Sequence, residues 1–115
     1  MKLIIAGGRQ FNDYDLLCTH VSKLIVDTSK NEIVSGMADG ADSLGVRYAE
    51  ENNVSLIKMP ADWNKHGKSA GYKRNEEMAK IADACICFWD GESRGTKHMI
   101  DLAKKYNLIT KVITY

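Results

Sequence analysis

The chain lacks an excess of charge of either sign: 16 Lys and Arg stand against 15 Asp and Glu in 115 residues, a formal charge of +1. A dedicated nucleic-acid binder usually carries a basic surplus, so the balance argues against nucleic acid as a partner. Proline occurs once, at Pro60, and no repeat or low-complexity stretch interrupts the chain, which leaves a single domain over residues 1–115. Apolar residues never approach the roughly 20 in a row that a bilayer span needs. The opening Met1-Lys2-Leu3-Ile4-Ile5-Ala6-Gly7 is too short an apolar run for a signal peptide, so neither route to a membrane is expected. The cysteines are Cys18, Cys85 and Cys87, an odd number without C-x-x-C spacing, which fits no disulfide framework and points to a reducing, cytoplasmic setting. His66 and His98 have no partner at metal-ligand spacing, so no metal site is expected, and no cofactor is implied.

What is present is an alternation of two periodicities. Leu3-Ile4-Ile5-Ala6 is too short for a helix and ends at a glycine pair, so it reads as a buried strand. Asn12 or Asp13 then caps a helix in which Leu16, Leu17, His20, Val21, Leu24 and Ile25 recur at helical spacing. Glu32–Ser35 is a second strand, and Ala41–Glu51 a helix with Leu44, Tyr48 and Ala49 on one face. Val54–Met59 is a third strand, closed by Pro60. After the apolar-poor stretch 61–69, a helix from Ala70 to Ile81 turns Met78, Ile81 and Ala82 inward. Ala84–Trp89 is a nearly continuous apolar run, expected of a central strand covered on both sides. A last helix starts near Gly95 or Thr96, with Met99, Leu102, Ala103 and Tyr106 in register, and Lys111–Thr114 is the final strand. Five strands alternating with four helices build a parallel sheet covered on both faces, a three-layer α/β/α sandwich.

Ligands of such sheets bind at the carboxyl ends of the strands. Eight of the nine glycines pair up as Gly7 and Gly8, Gly36 and Gly40, Gly67 and Gly71, and Gly91 and Gly95, each pair after a strand and before a helix. The opposite exits, from helix to strand, hold Asn31, Asn53 and Asn107, although glycine is the usual residue there. Glycine is therefore concentrated where a ligand would approach the backbone. Tight turns alone are the competing explanation.

Each carboxyl-edge loop carries candidate chemistry. In the first, Gly7 and Gly8 expose N–H groups that can form an anion cradle, and Arg9 adds a planar cation. The third glycine of a dinucleotide fingerprint is missing. The second loop, Ser35-Gly36-Met37-Ala38-Asp39-Gly40-Ala41-Asp42, offers Asp39 and Asp42 either to the dipole of the following helix or to sugar hydroxyls. In the third, Trp63 lies among Lys65, Lys68, Lys73 and Arg74, which suits an anionic ligand bearing a flat ring. The fourth, Asp90-Gly91-Glu92-Ser93-Arg94-Gly95-Thr96, leads into a helix amino terminus, where free N–H groups and the dipole favour phosphate. Ser93 and Thr96 either cap that helix or bond a phosphate oxygen. Asp39, Asp42, Asp90 and Glu92 are the candidates for proton transfer.

At these loops the sequence resembles the Rossmann-like SLOG superfamily, which unites DprA/Smf proteins, Lonely Guy phosphoribohydrolases and small stand-alone phage-type domains. The run Ser35–Asp42 is similar to the S-G-x-A-x-G-x-D signature of DprA, Lys73–Met78 to the R-K-x-x-M element of Lonely Guy enzymes, and Gly91–Thr96 to their P-G-G-x-G-T loop. Short SLOG proteins share the opening A-G-G-R, P-A-x-W, A-G-x-x-R-N and F-W-D-G-x-S-x-G-T. The resemblance implies strand order 3-2-1-4-5 and a nucleotide or nucleotide-derived ligand between the first and fourth loops. The implied contacts are Gly7, Gly8, Arg9, Ser35, Gly36, Asp39, Asp42, Trp63, Arg74, Asn75, Asp90, Gly91, Ser93, Gly95 and Thr96. It suggests a sensor, carrier or sequestering protein, and a homodimer, since relatives in the clan commonly dimerise. Two alternatives are a hydrolase of the N-glycosidic bond and, further off, single-stranded DNA binding. Lonely Guy enzymes use an arginine and a glutamate. Arg74 matches the first, Met99 stands at the position of the second, and only another acid such as Glu92, Asp90 or Asp42 could take its place.

Overall fold

The computed structural model describes all of residues 1–115. Its elements follow from the alternation of period two and period 3.6. The apolar run at the amino terminus forms β1 (Lys2–Gly7), with Leu3, Ile4 and Ile5 fully enclosed. Asp13 caps α1 (Tyr14–Leu24), its carboxylate accepting the Leu16 N–H at 3.0 Å, and Leu17 and Val21 face inward. Next come β2 (Glu32–Ser35), α2 (Ala41–Glu51) and β3 (Ser55–Lys58). The apolar-poor stretch is partly helical. Asp62 caps a single turn, α3 (Trp63–His66), and a 3₁₀ turn over Gly67–Ser69 leads into α4 (Ala70–Ile81). The strand β4 (Ala84–Trp89), the helix α5 (Arg94–Lys105) and the strand β5 (Ile109–Thr114) complete the chain. The last strand starts two residues earlier than its apolar pattern indicates, because Ile109 pairs with Ala84.

All pairings are parallel, in the order β3-β2-β1-β4-β5. The chain moves outward from β1 through β2 to β3 and then returns beside β1 as β4. Strand order therefore reverses between β1 and β4, the position at which α/β sheets open a crevice for ligands. One apolar cluster packs α1 and α2 on one face of the sheet through residues such as Leu17, Val21, Tyr48 and Phe88. The other packs α4 and α5 through Met78, Met99, Leu102 and Ala103. The central β4 is enclosed by both, so its even continuity of apolar residues is the pattern its position requires. Cys85 and Cys87 share one face of it, buried, with sulfurs 3.5 Å apart.

One inward assignment differs. Ile81, the last residue of α4, is 39 % exposed, while Asn75, Met78 and Ala79 form the buried stripe. Among the helix exits, Asn53 and Asn107 adopt the left-handed conformation, with φ of 54° and 58°. Asn31 is extended and instead anchors the amino terminus, its Oδ1 accepting from the Met1 ammonium at 3.1 Å.

The turn from β1 is locked to the start of α2. The Gly8 carbonyl accepts both the Phe11 and the Ala41 N–H, each at 3.2 Å. Gly40, the residue before α2, has φ of 74°, and a Cβ there would press on the Gly8 carbonyl and lie 2.6 Å from the Arg9 carbonyl carbon. Gly40→Ala should therefore destabilise the domain by more than about 1 kcal/mol, seen in urea as a lower midpoint; an unchanged midpoint would show that the two loops can part freely.

Candidate functional site

Above the β1/β4 crossing lies a cleft of about 460 Å³. It draws on every carboxyl-edge loop. Gly7, Gly8 and Arg9 come from the first, Asp42 from the second, Trp63, Arg74 and Asn75 from the third, and Asp90, Ser93, Gly95 and Thr96 from the fourth. Gly36 and Asp39 line an adjoining cavity, shared in part with Arg9, Trp63 and Arg74. Ser35, Gly91 and Glu92 line neither. Ser35 is fully buried and serves the loop itself, its hydroxyl accepting the Met37 N–H at 3.1 Å.

The glycines divide into two groups. At Gly7 and Gly40 the space of a Cβ is taken by the neighbouring elements, so the first two loops need glycine there in order to pack on each other; at Gly8 it is taken by the Tyr115 hydroxyl, and at Gly36 by the Arg74 guanidinium and the Asp42 carboxylate. The N–H of Gly8 is also committed, donating to the Phe88 carbonyl at 3.1 Å. The N–H groups of the first loop without an internal acceptor belong to Arg9 and Gln10. Gly95 is the opposite case: it lies in α5, its φ is not positive, and nothing stands within 4 Å of a Cβ built there. No internal demand explains glycine at that point of the cleft wall.

The fourth loop presents the start of α5 with its donors partly used. Asp90 Oδ1 accepts the Glu92 and Ser93 N–H groups at 2.9 Å, which holds this exposed carboxyl below its ordinary range. Ser93 caps the helix, its Oγ accepting from Thr96 N at 3.4 Å and lying 3.0 Å from Thr96 Oγ1. The Arg94 and Gly95 N–H groups remain without a protein acceptor, the arrangement that favours an anion at a helix start.

Three charged groups converge at the centre. Arg74 donates through Nη1 to the Gly36 carbonyl and through Nε to Asn75 Oδ1 at 3.0 Å, leaving Nη2 free. Asn75, itself buried, reaches on from α4 to α5, its Nδ2 lying 3.5 Å from the Gly95 carbonyl and 3.3 Å from His98 Nδ1. Arg9 makes no hydrogen bond or ion pair; the salt bridges of the chain are three surface pairs, Arg47–Glu51, Lys80–Glu76 and Lys97–Asp101. Asp42 is 6 % exposed, and its Oδ2 accepts the Ala38 N–H at 3.2 Å. Burial pushes the Asp42 carboxyl above its ordinary range, against the lowering effect of that N–H and of Arg74 and Arg9. Burial likewise pulls the Arg74 guanidinium down, with Asp42 opposing. Neither arginine comes within ion-pair distance of Asp42, so the pocket holds two cations that the protein itself does not neutralise.

Further residues line the cleft beyond the expected contacts. Met78 and Met99 form an apolar floor, and Lys68, Tyr72 and Tyr115 stand on the walls. Tyr115, 46 % exposed, packs edge-on against Phe11 with ring centroids 4.8 Å apart. It follows β5, so the carboxyl-edge rule applied to the last strand finds it. No group of three or more His, Cys, Asp or Glu is placed to hold a metal ion, and no helix is long and apolar enough to cross a membrane.

Asp42 gives a signed test. Its folded pKa is raised, so the stability it contributes is present at low pH and lost as pH rises through the folded value. Asp42→Asn keeps an acceptor for Ala38 and removes the buried charge. Its melting temperature should exceed that of the native chain at pH 7, with the gap closing as pH falls toward about 4. A lower melting temperature at pH 7 would mean that attraction to Arg9 and Arg74 outweighs burial.

Residues 1–66 match the model of the YspA, cpYpsA-related SLOG family. Over 114 residues the chain is 43% identical to the Gene 61 protein of Mycobacterium phage D29, covering 90% of this chain and 89% of that protein. With the strand order, the cleft at the β1/β4 reversal and these two similarities together, the chain belongs to the YspA, cpYpsA-related SLOG family.

Proposed function

We propose that the protein binds a nucleotide or nucleotide-derived small molecule in the cleft above β1 and β4 and acts as a sensor, carrier or sequestering protein. The observation that carries this reading is the pair of arginines, Arg9 and Arg74, left without carboxylate partners beside the unsatisfied N–H groups of α5. Phosphate supplies what both lack. Trp63, 53 % exposed on the cleft wall, offers a ring for stacking, and Met78 and Met99 offer a floor for an apolar or flat group. A mostly apolar cavity with a few convergent polar groups is the usual form of a small-molecule site.

A second reading, hydrolysis of a nucleotide N-glycosidic bond, is favoured by Asp42, whose raised carboxyl faces the same cleft as Arg74. In that role Asp42, rather than Glu92 outside the lining, would exchange the proton.

Binding is tested by melting the protein with nucleoside mono- and diphosphates. At about 100 times the dissociation constant, linkage gives about 2.7 kcal/mol and a shift of several degrees. Arg9→Ala should keep the unliganded melting point, since Arg9 has no internal partner, and weaken binding tenfold or more, the loss of one charge-assisted contact of about 1.5–3 kcal/mol. Gly95→Ala should also fold at least as well as the native chain and bind less. Absence of a shift with every nucleotide would sink the reading. Turnover is tested separately by release of free base from nucleoside 5′-monophosphates, which Asp42→Asn should abolish; no release from the native chain would leave binding alone.

A further inference from the structure

We infer that the outer edge of β5 receives a second copy of this chain, paired antiparallel about a two-fold axis at Val112, and that the partner's Ile109 packs against Tyr115 on the cleft wall. The inference does not depend on what the cleft holds.

The two edges of the sheet are built differently. At one end of the strand order, β3 is four residues long, carries the exposed Lys58 as its last residue and runs into Pro60. Shortness, an edge lysine and a proline are devices by which edge strands avoid pairing. At the other end, β5 is six residues long and unbroken, and its one charge, Lys111, is half-buried. The Ile109 N–H donates to the Asp83 carbonyl and the Tyr115 N–H to the Trp89 carbonyl, each at 3.1 Å. Alternation along the strand therefore turns the backbone groups of Ile109, Lys111, Ile113 and Tyr115 toward β4 and those of Thr110, Val112 and Thr114 outward. No strand takes them there. The apolar side chains along this edge are also uncovered: Ile109 is 64 % exposed, and Val112 and Tyr115 are exposed with it.

The strand matches itself in one register. Antiparallel pairing centred on Val112 sets Val112 against its copy and Thr110 against Thr114, so the outward N–H and C=O groups of all three find partners. Between these pairs, Lys111 falls opposite Ile113 and Ile109 opposite Tyr115. Two exposed apolar side chains cover each other, and no charge meets its like. Centred on Lys111 instead, the pairing sets that lysine directly against its copy, which is destabilising. Centred on Ile113, it leaves Ile109 unmatched by the partner's β5. This self-match selects a second copy over an unrelated extended segment. The two-fold occupies both β5 edges and leaves the guarded β3 edges outermost, so association closes at the dimer.

Tyr115 carries the contact to the cleft. Its ring packs on Phe11 with centroids 4.8 Å apart, its hydroxyl occupies the space of a Gly8 Cβ, and it lines the cleft wall. Directly opposed residues of an antiparallel pair have Cβ atoms roughly 4.5–5.5 Å apart. The partner's Ile109 thus covers the open side of that ring and braces the wall from behind.

Sedimentation velocity of the full chain should show a dimer at micromolar concentration. Val112→Pro removes an outward N–H that β4 does not use, so the circular dichroism spectrum should be kept while the dimer dissociation constant rises about tenfold or more. Val112→Cys should cross-link to its copy in oxidised glutathione, above the background of the native chain, because a hydrogen-bonded pair holds its Cα atoms about 5.5 Å apart, within disulfide reach. Thr110→Cys, facing Thr114, should not. A native chain that stays monomeric would overturn the second copy and leave the edge to an extended segment of another protein. An undiminished dimer in folded Val112→Pro, or a dimeric Val112→Cys that does not cross-link, would reject this edge and register; the cross-link decides alone if the proline variant fails to fold.

Discussion

The Gly8 carbonyl is the joint on which the rest of the site depends. It accepts two N–H groups, from Phe11 in its own turn and from Ala41 at the start of α2. One acceptor thereby fixes the exit of β1 against the exit of β2. The approach is so close that Gly7 and Gly40 have no room for a side chain. With the backbone held this way, Arg9 leaves the turn toward solvent and Asp42, in the first turn of α2, is carried beneath it. Two residues far from each other in the chain become neighbours through a hydrogen bond that neither makes.

From that joint follows an electrostatic imbalance. Asp42 is buried beside two guanidinium groups but is hydrogen-bonded to Ala38, and neither arginine closes on it. Gly36 admits both groups: a Cβ built there would meet Arg74 Cζ at 2.7 Å and Asp42 Oδ2 at 2.9 Å, so each charged side chain approaches a backbone segment that only glycine leaves bare. A folded domain gains nothing from leaving two cations and a buried carboxylate in this state. Departures of this kind from the local optimum concentrate at functional sites, and the missing counter-charge is the property a phosphorylated ligand supplies.

Much of this was legible in the residues. The order of strands and helices follows from the switch between period two and period 3.6, and Asp13 and Ser93 precede their helices as caps, whereas the single turn after Asp62 lies in an apolar-poor stretch with no helical period to show it. The glycine pairs correctly marked the edge that bears the cleft. What they did not reveal was their division of labour. Whether a glycine serves a ligand or its own neighbours depends on what fills the space of its Cβ, which is tertiary: at Gly36 it is Arg74, 38 residues away, and at Gly95 it is nothing. Ile81 keeps the helical spacing of Met78 yet sits at the end of α4, so the periodicity there carries no burial. Tyr115 follows β5, the one strand with no helix after it, and so lies outside the pattern of strand-to-helix loops. The adjoining cavity forms where the loops after β1, β2 and β3 and the start of α4 come together, which no local pattern encodes.

Met99 sets the chemical character of the cleft. It is 1 % exposed, lines the floor with Met78, and belongs to the apolar cluster that holds Cys85 and Cys87. A carboxylate in its place would sit in that cluster, above thiols whose burial and mutual contact keep Cys85 protonated, and would need a cation to remain ionised. The thioether needs none. It is soft, unbranched and suited to lie against a flat or apolar group. The floor therefore supplies dispersion where a Lonely Guy-like site supplies charge, while the polar donors stay on the walls. Of the two acids on the lining, Asp90 is held ionised by the Glu92 and Ser93 N–H groups, and the acceptor capacity of Asp42 is already partly spent on Ala38. Under the binding reading proposed above, a phosphate on the walls and a ring on the floor need no such acid.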